Sequence, residues 1–166
     1  MLTKKQDKLF SSSLGEAEQS TMAFRHGCVA TYGGHIIASG YNTSKNYSSR
    51  DIFIQESQCS CHAEMNVLRK IYYKNREKKH KRNRIMRRLT LYISRYSKSG
   101  SSTNSAPCNK CLNIIKHFGI RKMIFHMDHD YYEYKPQEYQ TTHETWGEMM
   151  SRDRIHNLNQ NEEIPW

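Results

Sequence analysis

The stretch GCVATYGGHIIASGYN, residues 27–42, decides how this chain folds. It holds two short β-prone runs, CVATY and HIIASGYN, and Gly33-Gly34 between them can supply the positive φ angles of a tight hairpin turn. A sheet therefore begins here with an antiparallel pair. Upstream, SSSLGEAEQSTMAF (11–24) offers Ser13 as a cap three residues before Glu16, which predicts a leading helix from about Leu14. Downstream, NTSKNYSSRDIFIQESQCS (42–60) carries turn residues and no sustained period, so it reads as a loop. From His62, apolar Met65, Leu68, Ile71 and Tyr72 recur at three- and four-residue steps, the mark of an amphipathic helix. LTLYIS from Leu89 reads as a strand, SKSGSSTNSA (97–106) as a loop, PCNKC through HFG (107–119) as a second helix and KMIFHM (122–127) as a strand. The tail from Asp128 is tyrosine-rich and then polar, with a short helix expected at ETWGEMM (144–150). Alternating strands and helices after a hairpin predict an α/β sandwich, a mixed sheet flanked by helices.

At 166 residues the chain fits a single domain able to bury most of its apolar surface, and no internal repeat is visible. No stretch approaches the roughly 18 apolar residues of a membrane span. The start, MLTKKQDKLF, lacks the apolar core of a signal peptide, so the expected setting is intracellular and cytoplasmic, without a membrane. Five cysteines, Cys28, Cys59, Cys61, Cys108 and Cys111, are an odd number for a disulfide framework and point instead to free thiols or metal ligands. The net charge of +10 favours anionic partners such as nucleotides, nucleic acid or acidic surfaces, and selects no reaction.

Two helix starts carry the chemistry. Pro107 precedes Cys108, and Cys111 follows three residues later, so both thiols fall on one face at a helix start, where the helix's positive end favours thiolates. The stretch CSCHAEMN (59–66) adds His62, a third ligand type, from another helix start. A set of one nitrogen and two sulfurs suits zinc better than magnesium or calcium. Three protein ligands leave one tetrahedral position for water, which zinc acidifies toward a pKa of about 7. Glu64, two residues after His62, can reach over the metal and move protons. H62-A63-E64 followed by P107-C108-N109-K110-C111 matches the H-x-E…P-C-x-x-C signature of zinc nucleobase deaminases.

Across residues 24–127 the sequence resembles the cytidine and deoxycytidylate deaminase superfamily. GCVATYGGHIIASGYN is similar to that family's first two strands, while HAEMN and PCNKCLNIIKHFGIRKMIF are closest to the dCMP deaminase form. The resemblance implies a three-layer α/β/α sandwich around a five-stranded mixed sheet, in one domain over 1–166. It implies one zinc per chain, held by His62, Cys108 and Cys111, with Glu64 as general acid/base. Asn42 would hold the substrate, backbone groups of Ala63 and Ala106 would line the base pocket, and the protein would be a homo-oligomer. The implied reaction is hydrolytic: water activated by zinc attacks the amine-bearing ring carbon, and ammonia leaves. Three features depart from the family pattern: TSKNYSS follows GYN, a basic insertion spans about 74–106, and the tail from 128 to 166 has no counterpart.

Other readings stand beside these. Cys59 or Cys61 could close a structural zinc site, or hold a second metal with a histidine such as His117 or His126; Cys28, in an apolar strand, reads as a buried small residue. The run from Arg69 to Arg88 holds eleven Lys/Arg against one Glu. Lys78, Lys79, Lys81, Arg82 and Arg84 within it are candidates for contact with a nucleic-acid backbone, with a solvated helix end and loop as the plainer account. The leading functional expectation is a zinc-dependent deaminase of a pyrimidine nucleotide, dCMP or a relative. The alternatives are a deaminase of cytosine or adenine in single-stranded DNA, RNA or tRNA, and a non-catalytic zinc module that binds nucleic acid.

Overall fold

The computed structural model describes residues 1–45, 51–53, 60–145 and 149. Helix α1 (Lys4–Glu18) leads into strands β1 (Arg25–Tyr32) and β2 (His35–Tyr41), followed by α2 (Ala63–Lys74), α3 (Lys79–Met86) and β3 (Thr90–Tyr96). Helix α4 (Asn109–His117), β4 (Lys122–Met127), β5 (Asp130–Tyr134) and a single 3-10 turn at Pro136–Glu138 complete the order. The five strands form one mixed sheet in the order β2-β1-β3-β4-β5, in which only β3 and β4 run parallel. A parallel pair needs a crossover, and α4 supplies it.

The hairpin is the one read from the sequence: Gly33 and Gly34 take φ of 58° and 79°, the consecutive positive angles that a tight hairpin demands. Helix α1 corrects the expected start near Leu14. It begins at Lys4, because Thr3 Oγ1 accepts from Gln6 N at 3.2 Å while Gln6 Oε1 accepts from Thr3 N at 2.9 Å, a reciprocal capping box. Ser13, expected as the cap, lies inside the helix and donates to Phe10 O at 2.6 Å.

Alternation along the strands sorts side chains onto two faces. Val29, Tyr92 and Ile124 meet Leu9 and Phe10 of α1 on one of them. Gly27 lies on that side too; a Cβ there would stand 2.0 Å from Ser13 O and 2.5 Å from Ala17 N, so the close approach of α1 depends on its absence. On the other face Cys28, Ala30, Leu91, Ile93, Met123 and Phe125 pack beneath Met65, Leu68 and Ile71 of α2 and Leu112 and Ile115 of α4. The result is the expected three-layer α/β/α sandwich with five strands.

Two elements exceed the sequence reading. Strand β5 follows a turn in which Asp128 and His129 have φ of 50° and 68°, and its tyrosines Tyr132 and Tyr134 stack on the sheet. Part of the basic insertion forms α3, anchored by buried Met86 and by the Arg82 guanidinium lying 4.1 Å from the centre of the Tyr72 ring. The expected helix at 144–150 lies largely outside the described residues, as do Cys59 and much of the 42–60 loop.

Candidate metal centre

The starts of α2 and α4 meet. His62 is the residue before α2, with extended backbone (φ −70°, ψ 156°) and no side-chain cap bond; Cys108 holds the same place before α4, and its Sγ accepts from Cys111 N at 3.4 Å. Pro107 therefore stands one residue outside the cap, and the thiols are the cap residue and a first-turn residue. The preceding loop is clamped to the sheet by Ser105, whose Oγ donates to Ile93 O at 2.7 Å and accepts from His126 N at 3.0 Å. Asn109 N donates to His143 O at 2.9 Å, which draws the chain after β5 across the α4 start.

His62 Nδ1 lies 3.2 Å from Cys111 Sγ and 3.6 Å from Cys108 Sγ, and the three donor atoms all fall within 4.8 Å of one another. A tetrahedral zinc, about 2.3 Å from sulfur and about 2.0–2.1 Å from nitrogen, separates its donors by roughly 3.5–3.8 Å, and both nitrogen–sulfur distances lie within a few tenths of an ångström of that range. The Cys108 thiol is pulled down to about 5 by its hydrogen bond with Cys111, and by His62, against the opposing effect of burial. Cys111 is fully buried and Cys108 nearly so.

Glu64, in the first turn of α2, is 4% exposed. Its charge raises two neighbouring thiols that burial has already raised further: Cys28, well above its ordinary value, and Cys61, to about 11. Cys28 is thus the buried small residue the sequence suggested. Cys61 donates to His62 O at 3.6 Å, and its backbone pairs with Thr43. Among the described residues no other trio of metal-binding side chains comes together, and Cys59 lies outside them.

Asn42 is buried beside the β1 start: its Oδ1 accepts from His26 N at 2.8 Å, and its Nδ2 donates to Phe24 O at 2.7 Å and to Met22 Sδ at 3.3 Å. Both amide hydrogens are engaged, leaving one lone pair on Oδ1. Ala63 opens α2, so its N–H has no acceptor within the helix, whereas Ala106 N donates to Asn104 Oδ1 at 3.1 Å and leaves its carbonyl. The sequence reading missed His26, Arg95 and His143. Burial first, then the positive charges of Arg95, His62 and His143, pushes His26 down to about 3, so its ring is neutral. Strand alternation two residues before Cys28 was the signal that could have placed His26 on this face.

The basic candidates gather elsewhere. Lys79, Lys81, Arg82 and Arg84 lie on α3 and Lys78 just before it, beyond the C-terminal end of α2; all but Arg82 are exposed.

Fold and donor set together define a zinc-dependent deaminase. The chain belongs to the cytidine and deoxycytidylate deaminases: the family model of the cytidine and deoxycytidylate deaminase zinc-binding region matches residues 3–127. The cofactor is one zinc per chain. No curated protein matches the chain. Among solved structures it is similar to the crystal structure of dCMP deaminase from the cyanophage S-TIM5 in apo form, at 17% identity and a TM-score of 0.47, over 74% of this chain and 82% of that one. No helix among the described residues is long and apolar enough to cross a membrane.

Proposed function

We propose that the protein hydrolyses the exocyclic amine of a free pyrimidine nucleotide, dCMP or a close relative, releasing ammonia. The observation that carries this reading is the gathering of His62 Nδ1, Cys108 Sγ and Cys111 Sγ within 4.8 Å at two helix starts, with Glu64 two residues from the histidine. His62, Cys108 and Cys111 would hold the zinc. When bound, zinc supplies Lewis acidity that lets water ionise near neutral pH. Glu64 would take a proton from the attacking water and deliver it to the ring nitrogen beside the attacked carbon, then carry the remaining proton of the added hydroxyl to the departing amine, which leaves as ammonia. Its burial keeps bulk water from competing for that proton. The Ala63 N–H and the Ala106 carbonyl face the base, and Asn42 accepts from a sugar hydroxyl through its remaining lone pair. The exposed isoleucines Ile36 and Ile37 on edge strand β2 support self-association.

The test is a substrate panel of dCMP, CMP, deoxycytidine and single-stranded DNA and RNA oligonucleotides, read by product mass with zinc-loaded wild type and Glu64→Ala. Turnover of a free nucleotide that vanishes in the variant while zinc is retained is the expected result. A second reading, deamination of a base within a single strand, is favoured by the exposed cations of α3, and turnover of oligonucleotides alone would establish it.

A further inference from the structure

Among the described residues, no carboxylate balances the charge of Arg95. Arg95 pairs across the sheet with His26, and alternation places both side chains on the face shared by Leu91 and Ile93, beneath α2 and α4. His26, which Arg95 faces, donates its backbone N–H to Asn42 Oδ1 at 2.8 Å, and the charges of both Arg95 and His62 act on its ring. The guanidinium lies 5.0 Å from the centre of the Phe24 ring, and its Nε is buried without a hydrogen-bond partner among the described residues. None of the four ion pairs among the described residues involves it. On the opposite face the neighbouring groups are balanced: Arg25 lies 5.3 Å from the centre of the Tyr96 ring, whose hydroxyl donates to Glu18 at 3.2 Å.

A guanidinium is charged at every working pH and carries five N–H donors, so leaving part of it buried and unpaired is costly unless an anion arrives. Phe24 remains 47% exposed, and Lys98 Nζ lies 5.9 Å from the centre of the same ring, which adds a second positive charge at this edge. We infer that Arg95, backed by Lys98 and Phe24, receives the phosphate group of the substrate beside the zinc site, a role that rests on the nucleotide deaminase reading above. The planar fork suits a phosphate, which it can grip through two parallel hydrogen bonds. A nucleotide held in this way presents its base to Glu64 while the phosphate dianion settles on the guanidinium. Arg95 would then set the preference for a nucleotide over a nucleoside. A phosphodiester of a single strand would offer the same chemistry, and the experiment separates the two sources.

Zinc-loaded full-length wild type, Arg95→Gln and Arg95→Lys are titrated calorimetrically with dUMP, deoxyuridine and the trinucleotide dT-dU-dT, none of which is turned over. Zinc content and Tm are measured beside them. Wild type is expected to prefer dUMP over deoxyuridine by roughly 10- to 100-fold, the scale of a charge-assisted hydrogen-bond pair. Arg95→Gln should erase that preference and leave deoxyuridine binding unchanged, while Arg95→Lys, keeping charge without the fork, falls between. A dUMP preference that survives in a folded, zinc-loaded Arg95→Gln protein overturns the inference and leaves the free-nucleotide reading standing. Arg95-dependent binding of the trinucleotide alone upholds the phosphate role and overturns the free-nucleotide reading. Binding of all three ligands independent of Arg95 overturns the inference whatever the substrate panel shows.

Discussion

Helix α2, twelve residues and so about 18 Å long, joins two regions of opposite character. Its N-terminal end sets His62 and buried Glu64 against Cys108 and Cys111, where three potential metal donors converge. Its C-terminal end runs into Lys74 and the exposed lysines and arginines of α3, none of which forms an ion pair among the described residues. The difference teaches that charge density and chemistry are separable in this fold. The basic run that dominates the composition stands a helix length from the metal, whereas the cation beside the site, Arg95, is a single residue near the end of β3.

If the N-terminal end is the working one, changes there should be severe and specific. Cys108→Ser should abolish stoichiometric zinc binding, because a serine hydroxyl is not deprotonated where a thiolate forms readily. Zinc at a free concentration 1,000 times Kd stabilises a fold by at most about 4 kcal/mol, the limit in which the unfolded chain does not bind it, so the variant should lose up to that amount. Metal analysis and thermal melts with and without a chelator check both halves. Equal zinc content in variant and wild type would move the site away from Cys108.

Glu64→Gln should cost about 10²- to 10⁴-fold in kcat, the usual share of a general acid/base, with one zinc per chain retained. Stability should hold or rise, since a buried carboxylate is expensive to desolvate and an amide is less so. A variant that keeps its rate would make Glu64 a structural first-turn carboxylate and remove the proton carrier from the mechanism.

His26 gives the same end of the molecule a pH signature. Its folded-state pKa of about 3 lies below the ordinary 6.5, so as pH falls the unfolded chain takes up this proton first. The stabilisation is full above about pH 6.5 and drains away toward pH 3, because the unfolded state binds more protons throughout that window. Chemical denaturation of wild type and His26→Gln from pH 7 to pH 5, compared as a difference so that zinc release common to both cancels, should show wild type losing more. Parallel curves would mean that the imidazole is not held neutral.

Much of this contrast was legible in the sequence, and the failures have physical causes. The hairpin was readable because Gly33-Gly34 announces its own turn, and the donor trio because H-x-E and P-C-x-x-C are spaced as their chemistry requires. The beginning of α1 was misplaced because two cap-like patterns compete there, and Thr3 with Gln6 wins over Ser13 with Glu16. Strand β5 went unseen because Asp128-His129 makes its turn without the usual glycine or asparagine. Arg95 was passed over because one-dimensional spacing says nothing about a cation facing a histidine on another strand. Charge counting drew attention instead to α3, where numbers are large and burial is small.

At the far end of α2, effects should be modest and confined to packing. Arg82→Ala removes the guanidinium stacked on Tyr72 and should cost about 1–2 kcal/mol, with zinc content and kcat unchanged. The smallest effect belongs to the exposed charges themselves. Reversing Lys79, Lys81 and Arg84 to glutamate together changes the net charge by six, from +10 to +4, yet touches no residue near the metal. Across a helix length of about 18 Å, well beyond the roughly 8 Å Debye length at physiological salt, these charges are screened from a small substrate at the site. Steady-state kinetics on a free nucleotide should therefore shift by no more than about twofold at that ionic strength, and not at all in 0.5 M salt, where screening is tighter still. A long single strand could reach both ends at once, and its affinity would then fall steeply in the triple variant and steeply with salt. The comparison between the two ends of α2 thus becomes a measurement of substrate length: indifference to the reversal marks a nucleotide enzyme with a solvated basic helix, and sensitivity to it marks a strand that runs the length of α2 from Glu64 to α3.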